Sequence, residues 1–430
     1  MISKRLSYFV NSLLIISIIS IPYFQCGAMG KLNIRPAENN NDLVSQDKSV
    51  KLGIDVLIEK QFDIVDGKRV GLITNPSGVN RNLKTTIDVL FDSPSVKLRA
   101  LFSPEHGIRG NIEGGKQVRT YKDEKTGVTV YSLYGDTRKP TNDMLYGLDV
   151  LLFDIQDVGV RPYTYIYTMA YAMEAAKEAG IPFVVLDRPN PLGGLIVDGN
   201  VLDEQFKSFI GLYPIPYVHG MTAGELAWMF NLEFGIGVDL TVVPVEGWTR
   251  NMTWEETGLE WVPTSPHIPE AETVPYFAAT GCLGELSTFQ TGVGYTMPFR
   301  LTGAPWIDPE VFANELNKRK LAGVKFRPMY WTPYYGKYNG EQVAGVQLHI
   351  TDKSRFFPFA TGIHLLDAVR TLYPEQEIFN PDRLNMFNKA AGTDEIYRKL
   401  QAGVPADVII DSYSAGLKDF LKMRQEYLLY

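Results

Sequence analysis

Four short polar clusters carry the side chains that could do chemistry. The densest is Ser103-Pro104-Glu105-His106-Gly107-Ile108-Arg109-Gly110, which puts a carboxyl, an imidazole and a guanidinium into a turn shaped by Pro104 and two glycines. The second is Asp154-Ile155-Gln156-Asp157-Val158-Gly159-Val160-Arg161. Alternation along an extended segment sends Asp154 and Gln156 to one side and Asp157 to the other. Asp187-Arg188-Pro189-Asn190 is the third, and Tyr217-Val218-His219-Gly220, just before a helix start, is the fourth. Each also has a structural explanation. Glu105 can cap the turn that follows it. His106 and His219 can be packing histidines. Arg161 and Arg188 can pair with Asp157 and Asp187 inside the fold. Asp154, at a strand end, suits a hydrogen-bonding role.

The elements that position these clusters favour a shared site. From Lys51 to about Glu285 the chain alternates strands and helices. Strands are expected at 69–74, 96–102, 128–133, 149–155, 181–186 and 240–245, and helices at 83–91, 163–179 and 222–230. The 149–155 run is almost wholly apolar, as a strand covered on both faces should be. Gly180 closes the 163–179 helix, and Thr222 with Glu225 reads as a capping box. The alternation specifies an α/β fold with a parallel sheet and helices on both faces. The four clusters follow strands, so they gather at the carboxyl edge where open α/β sheets bind ligands. Beyond about Pro298 the character changes. Helices at 308–320, 359–372 and 413–422 and strands at 324–329 and 343–350 make a smaller C-terminal α+β domain. Its Tyr330–Tyr338 loop is densely aromatic and reads as core or interface ahead of a ligand platform.

Composition narrows the chemistry. The chain has 430 residues and a net charge of −7 (42 Lys and Arg against 49 Asp and Glu), with 5 His and 2 Cys. A mildly acidic surface argues against a nucleic-acid partner, and so few His and Cys argue against a metal centre. No cofactor and no metal are expected. The sequence contains no G-x-S-x-G elbow, no P-loop and no G-x-G-x-x-G after a strand, which removes the usual α/β-hydrolase and nucleotide sites. A carboxyl, imidazoles, arginines and nearby aromatics suit a sugar that carries a negative group. Arginine grips a carboxylate in two hydrogen bonds, and a carboxyl shielded from water can protonate a leaving oxygen.

The N-terminus reads as an address. Lys4 and Arg5 precede an apolar core at 13–21, about nine residues, within the roughly 7–15 of a secretory signal. Processing after Ala28 and lipidation of Cys26 both stay open. Residues 1–28 are thus expected to be a signal peptide and 29–50 a flexible tether, with the protein exported to the periplasm or lipid-anchored to the envelope. Membrane contact would come only through a lipid on Cys26. Cys282 is left unpaired and is expected to be a buried small hydrophobe.

These same stretches resemble the bacterial exo-β-N-acetylmuramidases, glycoside hydrolase family 171. The likeness lies in Gly71-Leu-Ile-Thr-Asn-Pro-Ser-Gly78, Ser103–Gly110, Asp154–Gly159 with Tyr163-Thr-Tyr165, Asp187–Gly194 and His219-Gly-Met-Thr222. It continues at Phe326-Arg-Pro, Gly345-Val-Gln-Leu-His349 and Tyr427-Leu-Leu-Tyr430. It covers nearly everything from Lys51 onward. The resemblance implies a Rossmann-like catalytic domain at 51–298, an auxiliary domain at 299–430 bordering the cleft, and release of N-acetylmuramic acid from the non-reducing end of peptidoglycan-derived saccharides. It implies that Glu105 is the catalytic acid. The candidates are then Glu105, His106, Asp157 and His219 for catalysis, and Asn75, Arg109, Gln156, Arg161, Tyr163, Arg188, Asn190 and Glu285 for substrate binding. Two positions depart from the family pattern: Val293 stands where an arginine is usual, and His267 where an asparagine is commoner. A non-catalytic glycan-binding protein on the same scaffold is the competing expectation. Retention, inversion and participation by the substrate's own acetamido group all stay open.

Overall fold

The computed structural model describes residues 50–105, 107–110, 120–135 and 137–430. Its centre is a seven-stranded sheet built from β1 (Arg69–Thr74), β2 (Lys97–Ser103), β3 (Tyr121–Lys122), β4 (Thr129–Ser132), β5 (Val150–Asp154), β6 (Phe183–Leu186) and, after the β7 (Asp198–Val201) and β8 (Pro216–Val218) pair, β9 (Leu240–Val243). The order is β3-β4-β2-β1-β5-β6-β9, and every pairing is parallel except the edge pair β3–β4. The chain runs outward from β1 through β2 to β4, then crosses to β5 and runs the other way. β1 and β5 therefore flank the point where strand order reverses, the place where a doubly wound sheet opens a crevice.

The strand positions follow the apolar runs closely. β1 falls at 69–74 as its sequence predicts, and β5 is buried along its whole length. Val70, Leu72 and Leu152 pack on one face beneath α1 (Gly53–Glu59) and α2 (Thr86–Asp92). Ile73, Phe102 and Phe153 pack on the other, against α4 (Tyr165–Ala179) and α5 (Ala223–Leu232); short α3 (Asn142–Leu145) lies between β4 and β5 in the chain. Gly180 does end α4, at φ +68°, and Thr222 with Glu225 does form a capping box on α5. Helix α2 begins later than the 83–91 pattern predicts. Leu83 sits at φ +61°, and Thr85 caps the helix by accepting from the Asp88 amide.

The C-terminal region contributes an antiparallel sheet, β10-β12-β11 (β10 Leu301–Ala304, β11 Val324–Trp331, β12 Val343–Ile350). With it come α6 (Thr273–Gly284), α7 (Pro309–Lys318), α8 (Pro358–Leu372), α9 (Pro381–Ala391), α10 (Glu395–Gln401) and α11 (Ala406–Ser412), while α12 (Ser414–Arg424) packs on β7 and sends Phe420 into the core of the first sheet. Its core reaches back across the chain: Val158, Val160, Tyr217 and Val218 pack in the same cluster as Phe312, Val346 and Leu365. Buried Asp198 adds a polar tie, accepting from the Phe359 and Ala360 amides at the start of α8. Cys282 is buried on α6, as its isolation in the sequence predicts.

The chain then returns to the first sheet. The Tyr430 hydroxyl donates to Asp187 Oδ2 at 2.7 Å and accepts from the Val245 amide at 2.8 Å. Asp187 directly follows β6 and is fully buried, so a tail residue completes the hydrogen bonding of a carboxyl at the strand's exit. Removing the hydroxyl leaves two buried groups short of a partner. Tyr430→Phe is expected to lower unfolding free energy by about 1–3 kcal/mol, read from the midpoint of urea denaturation.

Candidate active site

The crevice at the strand-order reversal is laid out by backbone and short side chains. Asn75 follows β1 directly and accepts from the Ser77 amide at 2.9 Å and the Ser77 hydroxyl at 2.5 Å. Ser77 Oγ accepts in turn from the Gln156 amide at 3.0 Å, joining the loop after β1 to the loop after β5. Gly78 has to be glycine, since a Cβ there would lie 2.0 Å from Thr74 Oγ1 and 2.8 Å from the Asp154 carbonyl. Beneath this, Asp154 accepts from Arg188 Nε at 2.5 Å and from the Thr86 hydroxyl, while Arg188 Nη2 donates to the Val79 carbonyl at 2.7 Å. All three side chains are buried.

Above that floor lie buried polar atoms with no hydrogen-bond partner among the described residues: Gln156 Oε1, Asp157 Oδ1 and His219 Nε2. Native interiors rarely leave such atoms unmatched, and a ligand-binding edge is one place where they occur. Asp157 Oδ2 is held by the Gly159 amide at 2.7 Å and lies 3.7 Å from His219 Nε2. Burial pushes the Asp157 carboxyl up to about 7, against the opposing hydrogen bonds from the Gly159 and Val158 amides. Burial, with Arg424 and Arg161 nearby, drives His219 down to about 3, so the ring is neutral. Its Nδ1 accepts from the Met221 amide at 3.2 Å, which assigns the ring proton to Nε2, facing Asp157.

Glu105 stands at the end of β2, one strand from β1, and is half-buried. The Tyr134 hydroxyl hydrogen-bonds with it; burial and the carboxylate together raise that phenol. Sequence reasoning passed over Tyr134, although its place just after β4 follows the strand-end rule that picked out the other clusters. Tyr165 feels the Glu105 charge and places its hydroxyl beside the Asn75 amide. Asn75 Nδ2 nonetheless lacks a hydrogen bond of normal geometry. Tyr165 donates to the Thr264 carbonyl and Tyr163 to the Thr264 hydroxyl, both at 2.7 Å. Thr264 is thus a further site-shaping residue that nothing in its local sequence marks. Gln156 directs its Nε2 into the fold, to the Asp157 and Pro189 carbonyls, each at 2.8 Å. Arg109 is clamped from Nε and Nη2 by Asp123, at 3.0 and 2.9 Å, and keeps about a third of its side chain exposed.

The structure brings Asn75, Glu105, Gln156, Asp157, Tyr163 and His219 to this edge and assigns other work to several expected binders. Arg161 is fully buried, and its guanidinium donates to the carbonyls of Asn200, Ile215, Ala390 and Ala391. The expected substrate contact there is corrected: the carbonyls of two distant segments enclose it. The structural pairing expected for Arg188 is corrected too: its guanidinium pairs with Asp154, not with neighbouring Asp187. Asn190 donates to the Met221 carbonyl and accepts from the Leu192 amide, so both ends of its amide hold a turn. Glu285 ends α6 and pairs with Arg383 at 3.0 Å, and burial raises its carboxyl. His106 lies outside the described residues. Val293 offers its carbonyl to the Gln290 side-chain amide, and His267 is half-buried with Nε2 2.9 Å from the Tyr335 hydroxyl.

Two protein-family models together match the chain from residue 70 to residue 430. The one described as exo-beta-N-acetylmuramidase NamZ, N-terminal, covers residues 70–272, and its C-terminal counterpart covers 276–430. Peptidoglycan beta-N-acetylmuramidase NamZ of Bacillus subtilis (strain 168) is 49% identical over 381 residues, spanning 89% of this chain and 91% of that protein. Among solved structures, a DUF1343 family protein of Bacteroides fragilis superposes with a TM-score of 0.85 at 43% identity, covering 89% of this chain and 99% of its own. A second DUF1343 protein from the same organism gives a TM-score of 0.72 at 30% identity over the same shares.

The Asp154–Arg188 pair tests the floor of this site. Arg188→Met removes the cation and leaves a buried carboxylate, which is expected to cost about 3–5 kcal/mol. Adding Asp154→Asn should recover part of that loss, since no buried charge is then left uncompensated. Urea titration of the single and double variants measures both.

Proposed function

The chain belongs to the exo-β-N-acetylmuramidase family, and on that premise we propose that it is an exo-acting glycosidase releasing N-acetylmuramic acid from the non-reducing end of peptidoglycan fragments. The observation that carries the mechanism is the place of Glu105: at a strand end beside the crevice, half-buried, with the Tyr134 hydroxyl on its carboxylate. A carboxyl so placed can deliver a proton to the glycosidic oxygen as the bond to the anomeric carbon breaks. General acid catalysis of this kind is worth roughly 10²–10⁴ in rate.

The remaining groups have roles consistent with the sugar. Burial raises the Asp157 carboxyl to about 7, so below that pH it is mostly protonated and acts as a buried hydrogen-bond donor suited to the substrate's acetamido oxygen. His219 Nε2–H faces Asp157 Oδ2 at 3.7 Å and is left with its own hydrogen-bonding capacity for the substrate. N-acetylmuramic acid carries a lactyl carboxylate, and of the three arginines among the substrate-binding candidates Arg109 is the one whose side chain is partly exposed to meet it, with Asp123 fixing the orientation of its guanidinium. Export is part of the same reading. The basic and apolar residues at 4–21 form a secretion signal, with Cys26 or Ala28 as the processing point. Residues 51–298 act as the catalytic domain and 299–430 as the auxiliary one.

Two variants separate these roles. Glu105→Gln keeps the shape but carries no acidic proton. It should lower kcat on a muramyl disaccharide by about 10²–10⁴ with an unchanged melting midpoint. The deficit should shrink on an aryl muramide whose phenol leaves without protonation. Near-normal turnover on the disaccharide would remove Glu105 as the acid. Asp157→Asn retains a donor but cannot ionise. The wild-type carboxyl loses its proton, and so its donor, as pH rises through about 7. Wild-type kcat/KM should therefore fall on the alkaline side of that value, and the variant should keep most of its activity and lose that limb. A drop of about a hundredfold or more at every pH would make Asp157 a base instead.

A further inference from the structure

Beside the crevice runs an aromatic rim that the chemistry above does not use. The segment between β11 and β12 was expected to lie in the core or an interface, yet Tyr334 and Tyr335 are 69% and 52% exposed. Large aromatics standing clear of the surface together call for an explanation that a single exposed side chain does not. They are held in place. The Tyr334 amide donates to the Gly294 carbonyl at 2.7 Å, and the Tyr334 and Tyr295 rings stack with centroids 5.8 Å apart and planes 27° from parallel. Gly294 lies at φ +90°, and a Cβ there would come within 2.2 Å of the Tyr335 carbonyl, so glycine is needed for this close approach.

The rim is continuous with the site. Tyr163 and Tyr165 anchor Thr264 from the crevice side, and His267, three residues along the same loop, meets the Tyr335 hydroxyl at 2.9 Å. Three extended residues span at most about 11 Å, the reach of a couple of sugar rings from the crevice wall. Aromatic faces with hydroxyl and imidazole edges suit a pyranose, which presents an apolar C–H face and a polar hydroxyl edge. Their large, rigid area binds with little ordering cost.

We propose that Tyr334, Tyr335, Tyr295 and His267 form a second saccharide-binding surface, which holds the glycan on the leaving-group side of the bond that is cut. The proposal rests on the glycosidase reading and assigns the rim to substrate length, apart from bond cleavage. The test compares an aryl muramide, which carries one sugar, with the tetrasaccharide of alternating N-acetylmuramic acid and N-acetylglucosamine. Tyr334→Ala and Tyr335→Ala should each lower the ratio of kcat/KM for the tetrasaccharide over that for the aryl muramide, by about tenfold for loss of one ring face. Tyr146→Ala removes a tyrosine that is 90% exposed just ahead of β5, at the opposite edge of the sheet, and should leave the ratio unchanged. Ratios unchanged in both rim variants would overturn the proposal. A wild-type protein that hydrolyses neither compound would remove the glycosidase reading. Calorimetric titration with the tetrasaccharide would then decide the rim separately: weaker binding in the two rim variants supports it, and equal binding overturns it.

Discussion

One buried ion pair holds the working edge of this molecule together. Asp154 and Arg188 sit at the ends of neighbouring strands, and the rest of their bonding radiates outward: Thr86 at the start of α2, the Val79 carbonyl after β1, and the Thr74 hydroxyl on the Asp154 carbonyl. The loops after β1, β5 and β6 each leave the sheet within a few residues of one of these contacts. Two charges buried together are a poor source of net stability. Their value here lies in direction, because a planar guanidinium accepts few alternative geometries. The loops after β1, β5 and β6 are thereby fixed relative to one another before any substrate arrives, a condition for catalysis that depends on placement.

The two regions of the chain are interleaved. Arg161, at the far end of the second polar cluster, donates to carbonyls of α9, and a Cβ on Gly392 would strike its guanidinium at 2.3 Å. Asp198 caps α8, and Tyr430 returns to Asp187. A guanidinium surrounded by carbonyls, a capped helix and a shared apolar cluster cannot slide freely. The wall formed by Tyr163, Tyr165 and Thr264 and the rim beyond it therefore keep a set distance from Glu105.

The sequence was most informative where structure is local. Periodicity located β1, β5, β12 and α4 to within a residue or two, and Gly180 and Thr222 acted as their neighbours predicted. Helix α6 escaped notice because Pro275, Gly281 and Gly284 interrupt an all-apolar segment that lacks a polar stripe. The polar clusters were also found, since strand ends in a parallel sheet converge. Partner choice was not legible. Arg188 lies next to Asp187 but bonds to a carboxylate 34 positions away, and Arg161 lies near Asp157 but bonds to carbonyls up to 230 positions away. Adjacent residues on a strand end point in different directions, so nearness in sequence misleads where the chain is extended. Tyr134 was within reach of the strand-end rule, whereas Thr264 became visible only with the fold in hand.

The buried carboxyls have a consequence for the whole molecule. Burial lifts Asp157 to about 7 and both Asp187 and Asp198 to about 6, far above the value of an aspartate in an open chain. The folded protein thus holds protons that the unfolded chain gives up. The stability these groups contribute is complete below about pH 4 and drains away as pH climbs through 6 and 7. Near pH 6 the molecule takes up protons as it folds and releases them as it melts. Its calorimetric heat of unfolding then includes the ionisation heat of whatever buffer receives them, and scans in phosphate and in an amine buffer at one pH will differ by that amount.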